Sequence, residues 1–171
     1  MNNELIANTF TAANPNSMIA ESYMYDMPNL VKIRAGKHGI PRKATKGSAG
    51  FDLKADLIEN IIINPNETCI VSTGTSIELP SGMCAFILPR SGLALKKGIT
   101  VPNSPGLIDS DYRGDICVIL RNEGTEPFTI EDVDRIAQLM IVSFITPSFV
   151  SVDELGHSDR GRGGFGSTGI G

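Results

Sequence analysis

The sequence predicts an all-β domain of short strands joined by tight turns (a sandwich, jelly roll or barrel) with one short helix. Three observations carry this expectation. Gly and Pro together make about 16% of the 171 residues, against a usual sum of about 12%, while aromatic residues make 6% and Trp is missing. From Leu30 onward, short apolar segments recur at about ten-residue spacing, each stopped by a turn signal. Only two places have a helical pattern. A chain of this length buries roughly 70% of its extended surface on folding, so neither a disulfide nor a metal staple is required.

Residues 1–28 are rich in Asn, Ser, Thr and Ala without a sustained period, and are expected to form a mobile extension. Val31 and Ile33 then alternate with Lys32 and Arg34; Phe51, Leu53, Ala55 and Leu57 alternate with Asp52, Lys54 and Asp56. Ile61–Ile63 stops at Asn64-Pro65-Asn66, residues 69–71 run on to Gly74, and residues 77–79 stop at Pro80-Ser81-Gly82. Met83–Leu88 is apolar on both faces and stops at Pro89, and residues 116–120, 136–145 and 149–152 complete the strand set. In residues 91–98, Ser91 is placed as an N-cap, Lys96 and Lys97 suit a last turn, and Gly98 suits a left-handed end. Across residues 129–140, Ile130, Val133, Ala137 and Met140 match a helical stripe, but residues 135–141 also alternate, so periodicity leaves both readings open.

Several function classes are excluded. A net charge of −4 and a pI near 5.1 do not suit a protein that coats nucleic acid. No apolar run approaches the roughly 18 residues of a membrane span. The start, Met1-Asn2-Asn3-Glu4, has no basic region of a secretory signal, so a cytoplasmic, reducing location is expected. Cys69, Cys84 and Cys117 lie in apolar runs and are expected to be buried free thiols. His38 and His157 are the only histidines, so a structural zinc or a His-based triad has little to draw on.

Three segments have the residue types of a chemical site. Gly161-x-Gly163-x-x-Gly166 fits a dinucleotide fingerprint literally, yet no helix or strand can follow it within the chain. Arg160 and Arg162 interleaved with glycines, then Phe165, Ser167 and Thr168, could instead close over a phosphorylated aromatic ligand; a frayed tail is the alternative. Pro89-Arg90-Ser91-Gly92 opens the short helix and reads either as an anion site or as a simple cap. Residues 106–115 hold Asp109, Asp111, Asp115, Tyr112 and Arg113 between two glycines. There a carboxylate could polarise a water and a ring could lie against a sugar, or the run is a solvated turn.

Five segments together, residues 48–55, 89–94, 106–114, 135–139 and 160–169, resemble in order the five motifs of the trimeric dUTP pyrophosphatases (dUTPases). The resemblance covers about residues 30–171 and leaves the first 28 outside. It implies an all-β jelly-roll homotrimer with active sites shared between subunits, and makes residues 135–145 a strand. It divides the chain into the extension 1–28, a catalytic core 29–155 and a Gly-rich tail 156–171 that closes over the nucleotide. The implied reaction is hydrolysis of dUTP to dUMP and pyrophosphate by water attack on the α-phosphorus, with Mg²⁺ on the triphosphate. It limits uracil in DNA and supplies dUMP for dTMP synthesis.

By resemblance, Asp109 polarises the water and touches the 3′-hydroxyl. Tyr112 lies under the deoxyribose, where a ribose 2′-hydroxyl would collide. Asn103 reads uracil from the hairpin that ends at Gly106, whose Pro102 and Pro105 remove N–H donors and stiffen the turn. Arg90, Ser91, Gly92 and Gln138 bind phosphates, and Asp52 meets Mg²⁺ through water. Arg160 binds the γ-phosphate, while Phe165, followed by Gly166 and Ser167, stacks on the base as the tail closes. The same resemblance leaves Arg162, Lys96 and Lys97 without a role and makes Ser110, Asp111, Arg113 and Asp115 turn or subunit contacts. Two rivals remain. One is a dCTP deaminase on a related fold, for which no signature is present. The other is a regulatory binding protein that keeps the nucleotide site.

Overall fold

A computed structural model describes residues 30–164. Its described part is mostly β, with one short helix. In chain order the elements are β1 (Lys32–Arg34), β2 (Phe51–Lys54), β3 (Ile61–Ile63), β4 (Thr68–Ser72), β5 (Ser76–Glu78), β6 (Met83–Leu88), α1 (Ser91–Lys97), β7 (Ile99–Thr100), β8 (Gly106–Ile108), β9 (Cys117–Asn122), β10 (Phe128–Ile130) and β11 (Arg135–Ser143). All ladders are antiparallel. The larger sheets run β2-β11-β6-β8 and β4-β9-β7; β1 pairs with β5, and β3 with β10.

Alternation puts Leu53, Val71, Val118, Leu120, Ile136 and Leu139 into one core, all at most 3% exposed. Asn122 is fully buried among them and fully bonded. Its amide donates to the carbonyls of Ile63 and Glu126, both at 2.8 Å, and its Oδ1 accepts from the Gly124 amide at 2.9 Å. A buried amide left unpaired would cost about 1–3 kcal/mol.

The alternation in residues 135–141 prevails over the helical stripe: β10, a turn and β11 replace a helix across residues 129–140. The stripe was produced by Val133, which stands in the turn at φ 75°, a left-handed conformation that strains a β-branched residue. β11 stops at Ser143, and residues 149–152 do not form the expected strand. Pro147 lacks an amide donor, and no strand among the described residues pairs with them. Three short strands, β7, β8 and β10, were not expected.

Helix α1 is capped one residue earlier than expected. Arg90 is the N-cap, with extended dihedrals and no side-chain cap bond, and Ser91 is the first helical residue. Gly98 does end the helix in the left-handed region, at φ 66°, donating to Ala94 and Leu93 carbonyls. A side chain at Gly98 would also strike the backbone of Gly124, 2.5 Å from its nitrogen. Of the three cysteines, all free, only Cys84 is buried. Cys69 is partly covered, and Cys117 is exposed at the start of β9. Burial first, then the Asp115 carboxylate beside it, pushes the Cys117 thiol up.

Candidate active site

Three of the five motifs meet on one sheet. β11 lies between β2 and β6, with Gln138 opposite Asp52 on one side and Leu88 on the other. Ala137 and Leu139 point into the core, so Gln138 and Asp52 share the outer side of the ladder. Gln138 Nε2 donates to Asp52 Oδ1 at 3.4 Å. Past Leu88 the chain leaves β6 and starts α1. There Arg90 Nε stands 3.7 Å from Asp52 Oδ1, and its Nη1 donates to the Arg135 carbonyl at 2.6 Å. The amides of Leu93 and Ala94 close on the Arg90 carbonyl, which leaves those of Ser91 and Gly92 at the open helix end. A side chain at Gly92 would meet nothing within 4 Å, so there is room there for an anion.

Arg135 is the site residue that sequence reasoning missed. Its Nη1 donates to Asp52 Oδ2 at 3.1 Å. Arg135 and Gln138 are three apart, which on a regular strand puts them on opposite faces. A register shift between Arg135 and Ala137 turns both toward Asp52. An irregularity at the start of a strand leaves no signal in the residue pattern.

The third motif starts on β8, the edge strand of the same sheet, on the other side of β6. β8 runs antiparallel to β6, with Gly106 opposite Ile87 and Ile108 opposite Ala85. Asp109, one residue past Ile108, is level with Cys84, six residues before Arg90, so at ~3.3 Å per residue it lies about 20 Å from Arg90 in the same chain. Asp109 is exposed, and its carbonyl accepts the Tyr112 amide at 3.2 Å. The Tyr112 hydroxyl donates to the Asp115 carbonyl at 2.9 Å, which holds the ring across Gly114 with 43% of the residue exposed. Arg113 closes the turn through the Ser110 and Tyr112 carbonyls, and Asp115 accepts from Ser72, in line with turn contacts. Asn103 sits over Gly106, where an added side chain would come within 3.1 Å of its Nδ2. The Ser104–Pro105 bond is cis.

Among the described residues of the tail, Arg160 bonds only locally: its Nε donates to the Gly163 carbonyl, and its own carbonyl accepts the Gly163 amide. Phe165, Gly166 and Ser167 lie outside the described residues, as do residues 1–28.

Two groups of donor atoms bear on metal binding. At Asp52 a single carboxylate faces two guanidiniums, which suits an ion that arrives on a phosphate chain and does not suit a protein-built cage. His38, Asp56 and Asp132 do bring three ligand atoms within 4.8 Å of one another. The Lys37 ammonium is already there, 3.1 Å from both carboxylates and 2.6 Å from the Leu57 carbonyl.

A dUTPase family model matches residues 37–169. The deoxyuridine 5′-triphosphate nucleotidohydrolase of Treponema denticola is 53% identical over 131 residues, 77% of this chain and 91% of its own length. The dUTPase of Staphylococcus bacteriophage 80alpha, solved with dUpNHpp, superimposes with a TM-score of 0.76 at 26% identity, covering 83% of this chain and 99% of its own. A variant of the dUTPase from phage phi11 of S. aureus, whose structure concerns a structural Mg(II) ion, superimposes with a TM-score of 0.68 at 22% identity over 75% of this chain and all of its own. On the family match and the Treponema relative together, the chain belongs to the dUTPase family.

Proposed function

We propose that the chain is a dUTP diphosphatase. It hydrolyses dUTP to dUMP and pyrophosphate, and thereby limits uracil in DNA and supplies dUMP for dTMP synthesis. The observation that carries the reading is the meeting of Asp52, Arg90 and Gln138 beside an open helix N-terminus. These residues come from three separated motifs and form one polar cluster built to hold a polyphosphate.

The catalytic unit is a jelly-roll homotrimer. Asp109 stands too far from Arg90 in one chain for both to reach one nucleotide, so the third motif of one subunit faces the phosphate cluster of another. Apolar side chains left open on residues 144–155, Phe149 at 97% and Leu155 at 90%, support burial against a second copy. Residues 1–28 are an extension, 29–155 the core and 156–171 the closing tail. The three free thiols suit a reducing, cytoplasmic setting.

In the reaction the substrate enters as its Mg²⁺ complex. Asp52 would meet that ion through water, and the ion would supply charge neutralisation at the triphosphate oxygens. Asp109 orients a water and takes its proton as the oxygen attacks the α-phosphorus; the bond to the bridging oxygen breaks and pyrophosphate leaves. An ordinary aspartate is a weak base, so positioning and charge stabilisation by Arg90, Ser91, Gly92, Gln138 and Arg160 contribute most of the acceleration. Tyr112 holds the deoxyribose, Asn103 and the hairpin ending at Gly106 read uracil, and Phe165, with Gly166 and Ser167, caps the base. Pyrophosphate release with Mg²⁺ across dUTP, dTTP, dCTP and UTP tests the reading. Only dUTP turns over well; ammonia released from dCTP, or an inert dUTP, overturns it.

A further inference from the structure

Against the Asp52–Arg135 pair lies a cavity of about 390 Å³, lined by His38, Arg42, Lys43, Asp52, Lys54 and Arg135 together with apolar residues of the 39–44 loop and two threonines. Its charge is one-sided. Residues 30–51 contain no Asp or Glu. The single carboxylate in the wall, Asp52, is taken up by Arg135 at 3.1 Å and Arg90 at 3.7 Å. Arg42 and Lys54 make no ion pair among the described residues, and Lys43 is held over the Phe51 ring at 5.1 Å. The two threonine hydroxyls donate to backbone carbonyls, Thr73 to Ile116 and Thr75 to Thr73, so the free donors facing the space are cationic. The loop does not simply drape over this space. The Asp52 amide donates to the Arg42 carbonyl at 2.9 Å, and His38 Nε2 lies 2.8 Å from Asp132, which fixes both ends of the wall.

We propose that this cavity binds pyrophosphate at a second site, adjoining the substrate's phosphate positions and sharing Asp52 and Arg135 with them. The identification of the occupant rests on the dUTPase reading, in which pyrophosphate is released next to it. No Phe, Tyr or Trp lines the space, so nothing there stacks a base, and four permanent cations against one neutralised carboxylate suit a compact, multiply charged anion. The cavity communicates with the active cluster through the Asp52–Arg135 pair, which lines both. Arg135 holds Asp52 with its guanidinium and Arg90 with its carbonyl. A pyrophosphate that draws the Arg135 side chain toward itself loosens Asp52 and, with it, Arg90. Pyrophosphate therefore inhibits in a way that dUTP does not fully relieve.

Calorimetric titration of pyrophosphate into the full chain saturated with dUpNHpp and Mg²⁺ tests this. One further pyrophosphate per chain is expected. In the double variant Arg42→Gln, Lys54→Gln its affinity falls at least tenfold, while kcat for dUTP and the melting temperature stay as in the parent. Inhibition by pyrophosphate against dUTP changes from mixed in the parent to purely competitive in the variant. Absence of binding to the saturated parent, or equal binding by the variant, overturns the proposal. So does equal affinity for sulfate, phosphate and pyrophosphate, which would make the cavity an unselective basic patch. The same titration on the free chain reads the cavity independently of turnover: variant-sensitive binding in a chain inert toward dUTP keeps the anion site and removes the dUTPase reading.

Discussion

The phosphate cluster and the Asp109 turn are built in opposite ways. At the cluster, side chains from β2, β11 and the start of α1 already hold one another: Asp52 by Arg135, Arg90 and Gln138, and Arg90 by a backbone carbonyl. Around Asp109 and Tyr112 the bonds are those of the turn with itself, and the functional groups face outward. The first region is held together by side chains from three elements; the second is shaped by its own turn, with no side-chain partner for Asp109 among the described residues. Charge explains the difference. A buried carboxylate needs its guanidiniums whether or not substrate is present, while an exposed turn needs only backbone bonds to keep its form.

The strongest way to break this contrast is complementation. Asp109→Asn alone should lower turnover by about 10²–10⁴ while leaving dUpNHpp binding largely intact. Arg90→Ala should raise KM for dUTP about 10–100-fold, as loss of a charged hydrogen bond does. Refolding the two variants together, assayed at dUTP well below the raised KM where each alone is nearly silent, should then restore about a quarter of parental activity, because some mixed sites receive Asp109 from one chain and Arg90 from another. No recovery would place both residues on one chain's nucleotide. Next in size, deleting residues 160–171 should reduce kcat by about 10-fold or more with little change in melting temperature; a truncated chain that fails to fold would make the tail part of the core.

Two smaller effects sharpen the picture of the cluster's surroundings. Val133 lies two residues before Arg135 at φ 75°, with 45% of it exposed. Val133→Gly should therefore stabilise the fold by about 1 kcal/mol, a rise of a few degrees in melting temperature, without altering KM. The smallest effect is at Asp132. The Leu57 amide, then His38 and Lys37, hold its carboxyl well below the usual carboxylate range. That pairing stabilises the fold above about pH 4 and is lost as acid protonates the group. Asp132→Asn should thus be less stable than the parent at neutral pH, and the gap should narrow on acidification in denaturant melts.

Much of this was legible in the residues. Turn signals marked most of the strands, Gly98 ended its helix where chain chemistry demanded, and Asp52, Arg90 and Gln138 were named before the sheet brought them together. What escaped did so for physical reasons. Val133 imitated a helical stripe because a strained turn residue carries no mark of its φ. Arg135 was passed over because a bulge re-aims a side chain without altering composition. Strands of two or three residues, such as β7 and β8, are too short for alternation to register. The cap moved from Ser91 to Arg90 because the Arg90 carbonyl, held near the cluster, opens the helix without help from a hydroxyl.

The β2-β11-β6 ladder also bears on how the protein comes into being. Asp52, Leu88 and Gln138 are far apart in sequence and meet only through non-local antiparallel pairing. Such pairings bear the loop-closure entropy before any contact compensates for it, and chains that depend on them fold slowly. The anion cluster therefore has no partially assembled form. Asp52, Arg90 and Gln138 come together only once β2, β6 and β11 have found one register, so the cluster is a late product of folding.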